Sequence, residues 1–173
     1  ENVESYFKDS IEMILDGGPC SNGIESTIIG FENEEPIIYR LGALAIEDIE
    51  AVVGKLAIKN KKEVSPDAPG MLKRHYAPST KTIVTENILE EIKKHSKKRV
   101  GIITFVSDLK DNTITTQIIL SHKGDMEEAA SNLYDALHRL DYQNLDIIIA
   151  EKMPNYGLGK SINDRLQRAT FSS

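Results

Sequence analysis

The chain has 173 residues, 40% of them hydrophobic and 28% charged, with a formal net charge of −6 and a single cysteine. This is an ordinary composition for a soluble globular protein and leaves one domain or two small ones open. The acidic balance disfavours unassisted binding to a nucleic-acid backbone, one cysteine excludes an internal disulfide or a multi-cysteine metal site, and the apolar runs at 101–106 and 145–150 are far too short to span a membrane.

The first residues, Glu1-Asn2-Val3-Glu4-Ser5, carry no initiator Met, basic region or apolar core, so they read as a chain entered midway and not as a secretory leader. With Cys20 unpaired, the cytoplasm is the default compartment. Residues 3–8 read as a short helix, 11–15 as an apolar strand, and Asp16-Gly17-Gly18-Pro19 as a glycine-rich turn. Two apolar runs at 24–31 and 36–40, separated by Glu32-Asn33-Glu34-Glu35, have the pattern of a β-hairpin. A helix follows over 46–55, with Ile46, Ile49, Val52 and Val53 on one face and Gly54 as its stop. This segment is too small to bury a core alone and looks like one edge of a larger domain.

Between 57 and 80 the periodicity fades, and Pro66, Pro69, Gly70 and Pro78 mark an irregular linker. From Lys81 strands and helices alternate: strand 82–85, helix 88–97, strands 100–105 and 117–120, helix 126–140, strand 145–150 and helix 160–168. Such alternation predicts an α/β fold with a mostly parallel sheet. Met126, Ala129, Ala130, Leu133, Leu137 and Leu140 form the core-facing stripe of the long helix.

Three stretches could carry chemistry. Residues 16–27 hold three glycines and several hydroxyls and could cradle an anion or simply turn. The stretch is neither a Walker loop nor a dinucleotide fingerprint, because no Gly-Lys-Ser/Thr follows and a strand succeeds the glycines. Ile38-Tyr39-Arg40-Leu41-Gly42 places an Arg at the end of the hairpin, where its planar fork suits a phosphate or carboxylate, or equally a surface salt bridge. In Ser65-Pro66-Asp67-Ala68-Pro69-Gly70-Met71-Leu72-Lys73-Arg74-His75-Tyr76-Ala77-Pro78, the cations and aromatic groups fit either a loop closing over a nucleotide or a basic exposed linker.

The run Ile14-Leu15-Asp16-Gly17-Gly18 through Glu25-Ser26-Thr27, the Tyr39-Arg40-Leu41-Gly42 signature and the 65–78 linker, in that order, resemble the two-domain form of the threonylcarbamoyl-AMP synthase family. The ending from Gly157 to Ala169 resembles that family's C-terminus, so the likeness spans nearly the whole chain. The resemblance implies three parts: residues 1–56 as the C-terminal portion of a YrdC-like α/β catalytic domain, 57–80 as an active-site linker, and 81–173 as a Rossmann-like C-terminal domain. It implies ATP, L-threonine and bicarbonate as substrates, threonylcarbamoyl-AMP and pyrophosphate as products, and Mg²⁺ carried by the ATP phosphates. The product would serve N6-threonylcarbamoyladenosine formation in tRNA through other proteins, with no direct nucleic-acid or membrane contact by this one.

By the same resemblance, Ser26 would hydrogen-bond threonine or its carbamate, Arg40 would contact the triphosphate, and His75 and Tyr76 would cover the nucleotide from the linker. No catalytic residue or protein metal ligand is assigned. Nothing local to Ser26 supplies a base and an orienting group, so a covalent serine mechanism is rejected. Asp16 reads as a turn former, Cys20 as unreactive, and His95, His122 and His138 as solvent-exposed. Gly157-Leu158-Gly159 could hold an anion at a helix N-terminus, while Asn163, Asp164 and Arg165 read as capping, pairing or packing groups. The family's N-terminal ATP-gripping signatures have no counterpart in these residues, so the chain by itself is expected to be inactive. The alternative is a noncatalytic small-molecule-binding or regulatory module.

Overall fold

The computed structural model describes residues 4, 7, 10–18, 20, 23–59 and 77–170. The helix expected over 3–8, save residues 4 and 7, and the linker through His75 and Tyr76 lie outside the described residues. β1 (Ile28–Glu32) and β2 (Glu35–Arg40) form the antiparallel hairpin anticipated from the two apolar runs. Its turn is tighter than expected, since only Asn33 and Glu34 separate the strands, at φ of 49° and 69°. Two left-handed residues give a two-residue loop the twist that matches its strands.

α1 (Ile46–Val53) packs Ile46 and Ile49 against Ile38 and Leu41. Val52 and Val53, expected on the same buried face, are exposed because the small cluster covers only the first turn and Gly54, at φ 83°, ends the helix. Ala57 and Ile58 form β3 (Ala57–Ile58), which pairs parallel to β2. The strand expected at 11–15 is not formed: Ile11, Met13, Ile14 and Leu15 are exposed, Leu15 by 89%, and none of them belongs to either sheet. Apolar content does not make a strand unless a neighbour satisfies its backbone N–H and C=O groups.

The second sheet contains β4 (Thr82–Thr85), β5 (Val100–Thr104), β6 (Ile114–Ile119) and β7 (Ile147–Glu151) in the order β4-β7-β5-β6, all parallel. Alternation along the two central strands builds two cores, as a period of two demands. Val100, Ile102, Ile147 and Ile149 meet Ile88 and Ile92 of α2 (Ile88–Lys94). Ile103, Ile148 and Ala150 point the other way, into the cluster built by α3 (Met126–Asp141) and α4 (Leu158–Ala169). The result is a three-layer α/β arrangement with the expected parallel sheet.

Local signals fix the helix ends. Asp125 caps α3 by accepting the N–H groups of Glu127 and Glu128 at 2.8 and 2.9 Å. α2 stops at Lys94 and not at 97, because the His95 N–H turns back to the Ile92 carbonyl at 3.1 Å. β6 begins earlier than expected, at Ile114, and the helix-free connection before it is fastened by Gln117, whose Nε2 donates to the Ser107 carbonyl at 2.6 Å and to Thr104 Oγ1 at 3.0 Å. Ile24 ties the N-terminal part to this assembly by burying itself in the α3 and α4 core.

Candidate functional site

The glycine-rich turn is organised by Asp16, whose Oδ1 accepts the Gly18 N–H at 2.9 Å while Gly18 takes φ 82°. That is the turn-forming role anticipated for Asp16. Cys20 is exposed. From Gly23 onward the backbone is fixed from outside: a Cβ at Gly23 would lie 2.3 Å from Ser131 Cα on α3, so the chain passes the helix at glycine-only distance.

The structure brings Ser26 and Arg40 together. Arg40 Nε donates to the Ser26 carbonyl at 3.0 Å and Nη2 to Ser26 Oγ at 3.2 Å. A register shift lies beside them, with Ile28 opposite Arg40 but Ile29 opposite Ile38, which leaves Tyr39 as the extra residue of β2. Bulges of this kind re-aim neighbouring side chains. The adjoining loop closes on the same backbone: Thr27 Oγ1 donates to the Leu44 carbonyl at 2.8 Å, and Ala43 N–H donates to the Glu25 carbonyl at 2.8 Å. Gly42 has no room for a Cβ, which would sit 2.3 Å from backbone atoms of Glu25, Ser26 and Thr27.

A guanidinium held in place beside an exposed hydroxyl offers fixed positive charge and hydrogen-bonding groups to a phosphate or carboxylate. Among the described residues the partner of Ser26 Oγ is Arg40, which has no capacity to take a proton.

Behind this pair stands α4. Arg165, 3% exposed at its side chain, spreads its fork over three acceptors: Nε to Glu25 Oε2 at 2.9 Å, Nη2 to the Leu41 carbonyl at 2.8 Å and Nη1 to Asp164 Oδ2 at 2.6 Å. Asp164 also takes Arg168 Nε at 2.8 Å. Ser161 Oγ donates to the Gly42 carbonyl at 2.8 Å, and Tyr134 OH lies 3.3 Å from both Glu25 oxygens. Burial raises the Glu25 carboxyl, but the Arg165 charge and hydrogen bonds outweigh it and hold the group below its ordinary range. Burial, with the Glu25 charge, pushes the Tyr134 phenol well up, and the surrounding anions hold Arg165 protonated despite its burial.

Asn163 and Asp164 perform the pairing and packing anticipated for them, Asn163 by bonding both backbone groups of Met153 at 2.8 and 2.9 Å. The reach of Arg165 to Glu25 and Leu41, 140 and 124 residues away, is not visible in the sequence. Its sole signal there is an arginine spaced with Ser161 and Leu166 among the buried residues of an amphipathic helix. The N-terminus of α4 does meet an anion, and the anion is the protein's own: Glu47 Oε1 accepts Lys160 Nζ at 2.7 Å and the Gly157 N–H at 3.3 Å.

His122 and His138 are exposed, as expected, whereas His95 is half-buried beside Glu91. Among the described residues no three His, Cys, Asp or Glu side chains group to hold a metal ion, and no helix is long and apolar enough to cross a membrane. His75 and Tyr76 lie outside the described residues.

A family model for the threonylcarbamoyl-AMP synthase C-terminal domain matches residues 44–170. The chain is 35% identical over 184 residues to the threonylcarbamoyl-AMP synthase of Pyrococcus abyssi, covering 98% of this chain and 52% of that protein. Its structure superposes on Pyrococcus abyssi Sua5 complexed with L-threonine with a TM-score of 0.84 at 34% identity, covering 98% of this chain and 52% of that one. A variant of that Sua5, with a neighbouring His and Tyr both replaced by alanine, superposes with a TM-score of 0.76 at 32% identity over 91% of this chain and 48% of that one. The chain spans about half the length of the curated relatives it matches. Agreement in sequence and in fold over nearly all of its residues means that the chain belongs to the threonylcarbamoyl-AMP synthase family.

Proposed function

We propose that this chain supplies one wall of the substrate site, the linker and the C-terminal domain of an enzyme that condenses ATP, L-threonine and bicarbonate. The threonine amine takes up the bicarbonate carbon with loss of water, the resulting carbamate oxygen attacks the α-phosphorus, and pyrophosphate leaves. Arg40 contacts the triphosphate and offsets the charge that grows on the departing pyrophosphate. Ser26 hydrogen-bonds threonine or its carbamate. His75 and Tyr76 cover the nucleotide, and Mg²⁺ travels with the phosphates, since it keeps most of its waters and needs few protein carboxylates. The product passes to other proteins that modify tRNA in the cytoplasm.

The observation that carries this reading is the Arg40 guanidinium seated on Ser26, at the junction of two motifs that resemble the family's signatures. Two further facts support it. A Sua5 relative was solved complexed with L-threonine, and a variant of the same Sua5 was altered at a neighbouring His and Tyr, a pair that occurs once in this sequence, at His75-Tyr76. A noncatalytic module is not favoured, because the curated relatives are synthases.

The exposed Met13, Leu15, Phe31 and Val52 and the half-length coverage support a further element of the proposal: activity requires the other half that the relatives possess. The test is threonine-dependent pyrophosphate release. This chain alone is expected to give none. Joined to an N-terminal half of the relatives' type, it is expected to turn over, and Arg40→Ala is expected to lower the rate by about 100-fold or more, on the scale of losing one transition-state charge contact, while the fold survives. Undiminished turnover of that variant would overturn the assignment.

A further inference from the structure

We infer that Arg165 is a positioning residue for the substrate site: from the C-terminal helix it sets where Ser26 and Arg40 stand. The inference rests on the proposed role of those two residues. Glu25 directly precedes Ser26 and Leu41 directly follows Arg40, and one guanidinium holds both, the Glu25 carboxylate at 2.9 Å and the Leu41 carbonyl at 2.8 Å. A single rigid fork therefore spans the two backbone segments that carry the pair.

The surroundings leave those segments little freedom to settle elsewhere. Gly42 lies against the backbone of residues 25–27 at a distance no Cβ would allow, and Ser161, one turn before Arg165 on α4, holds the Gly42 carbonyl at 2.8 Å. Arg165 is itself locked, because Asp164 binds its Nη1 at 2.6 Å and is in turn held by Arg168. Removing the fork takes its donors from the Leu41 carbonyl and leaves the Glu25 carboxylate with Tyr134, and both shifts pass directly to Ser26 and Arg40 through one peptide bond each. A displacement of about 1 Å at such a site costs on the order of 100-fold in rate even when the altered residue never meets substrate.

The test uses the protein carrying both halves and compares Arg165→Gln, Arg40→Ala and the double variant by threonine-dependent pyrophosphate release. Arg165→Gln is expected to lower kcat by about 10- to 100-fold with a smaller change in the KM for ATP. In the Arg40→Ala background it is expected to cost clearly less than it does alone, since one of the two groups it positions is gone. Full multiplication of the two losses would mark Arg165 as merely structural and overturn the inference. So would wild-type turnover of Arg165→Gln where Arg40→Ala is severely impaired, a result that leaves the proposed function standing. Wild-type turnover of Arg40→Ala would instead remove the proposed function, and the inference with it. Should Arg165→Gln fail to fold, Arg165→Lys, which keeps the charge without the fork, and Ser161→Ala are carried through the same comparison, with a multiplicative loss again counting against the inference.

Discussion

Asp141, the last residue of α3, holds Thr80 by both its N–H and its hydroxyl, each at 2.7 Å from Oδ1. Ser79 adds its own N–H at 3.0 Å and its hydroxyl at 2.9 Å. One carboxylate thus fastens the start of the second sheet region to a helix end 61 residues away in sequence. Burial raises its pKa, but these four donors outweigh that and hold it below the ordinary carboxylate value.

Asp141→Ala is therefore expected to destabilise the protein by roughly 1–3 kcal/mol, the scale of hydrogen bonds to a charged acceptor in a partly exposed setting. Urea denaturation monitored by circular dichroism would measure this. A midpoint unchanged from wild type would show that solvent replaces the carboxylate without loss.

Glycine substitutions separate close approach from turn freedom. Gly42→Ala places a methyl 2.3 Å from backbone atoms that no side-chain rotation relieves, so a loss of about 1–3 kcal/mol or more is expected. Gly17→Ala meets nothing within 4 Å, and its stability is expected to stay within about 0.5 kcal/mol of wild type. Equal thermal midpoints for the two variants would contradict the packing described at Gly42.

The Glu25 and Arg165 pair gives stability a pH dependence of known sign. Glu25 is held below its ordinary 4.5, so its stabilising contribution is complete above that value and is lost as pH falls through the lower folded-state value. Glu25→Gln is expected to cost about 1–3 kcal/mol at neutral pH, and the gap from wild type should close as the pH falls through the acid range below 4.5. Denaturation series across that range measure the gap. A gap that persists undiminished in acid would assign it to packing and not to charge.

Glu47 contacts the N-terminus of α4 from an exposed position, 44% accessible, and bonds Lys160 there. Charge at a helix end in such a setting contributes about 0.3–1 kcal/mol and is screened by salt. Glu47→Gln should lose that amount in dilute buffer and much less in concentrated NaCl. A loss independent of salt would point to the hydrogen bond to Gly157 as the operative contact.

Legibility followed the range of the interactions. The parallel sheet was readable because Val100–Thr104 and Ile147–Glu151 are apolar on both faces, and the long helix because its stripe and its Asp125 cap lie within single turns. Failures came where a neighbour had to decide. Residues 11–15 are apolar enough for a strand but have no ladder partner among the described residues, and Val52 and Val53 lie on an apolar stripe but are exposed.

The site divides in the same way. Ser26 and Arg40 stand out in the sequence by their motifs, and the hairpin register that makes them neighbours follows from a local turn. Arg165, Ser161 and Glu25 could not be joined from sequence, since their contacts depend on how α4 lies across the hairpin's loop. The chain's own periodicities determined the central strands of the parallel sheet and the buried face of its long helix; only tertiary packing decided which buried arginine meets which carboxylate, because that choice depends on the relative placement of elements more than a hundred residues apart.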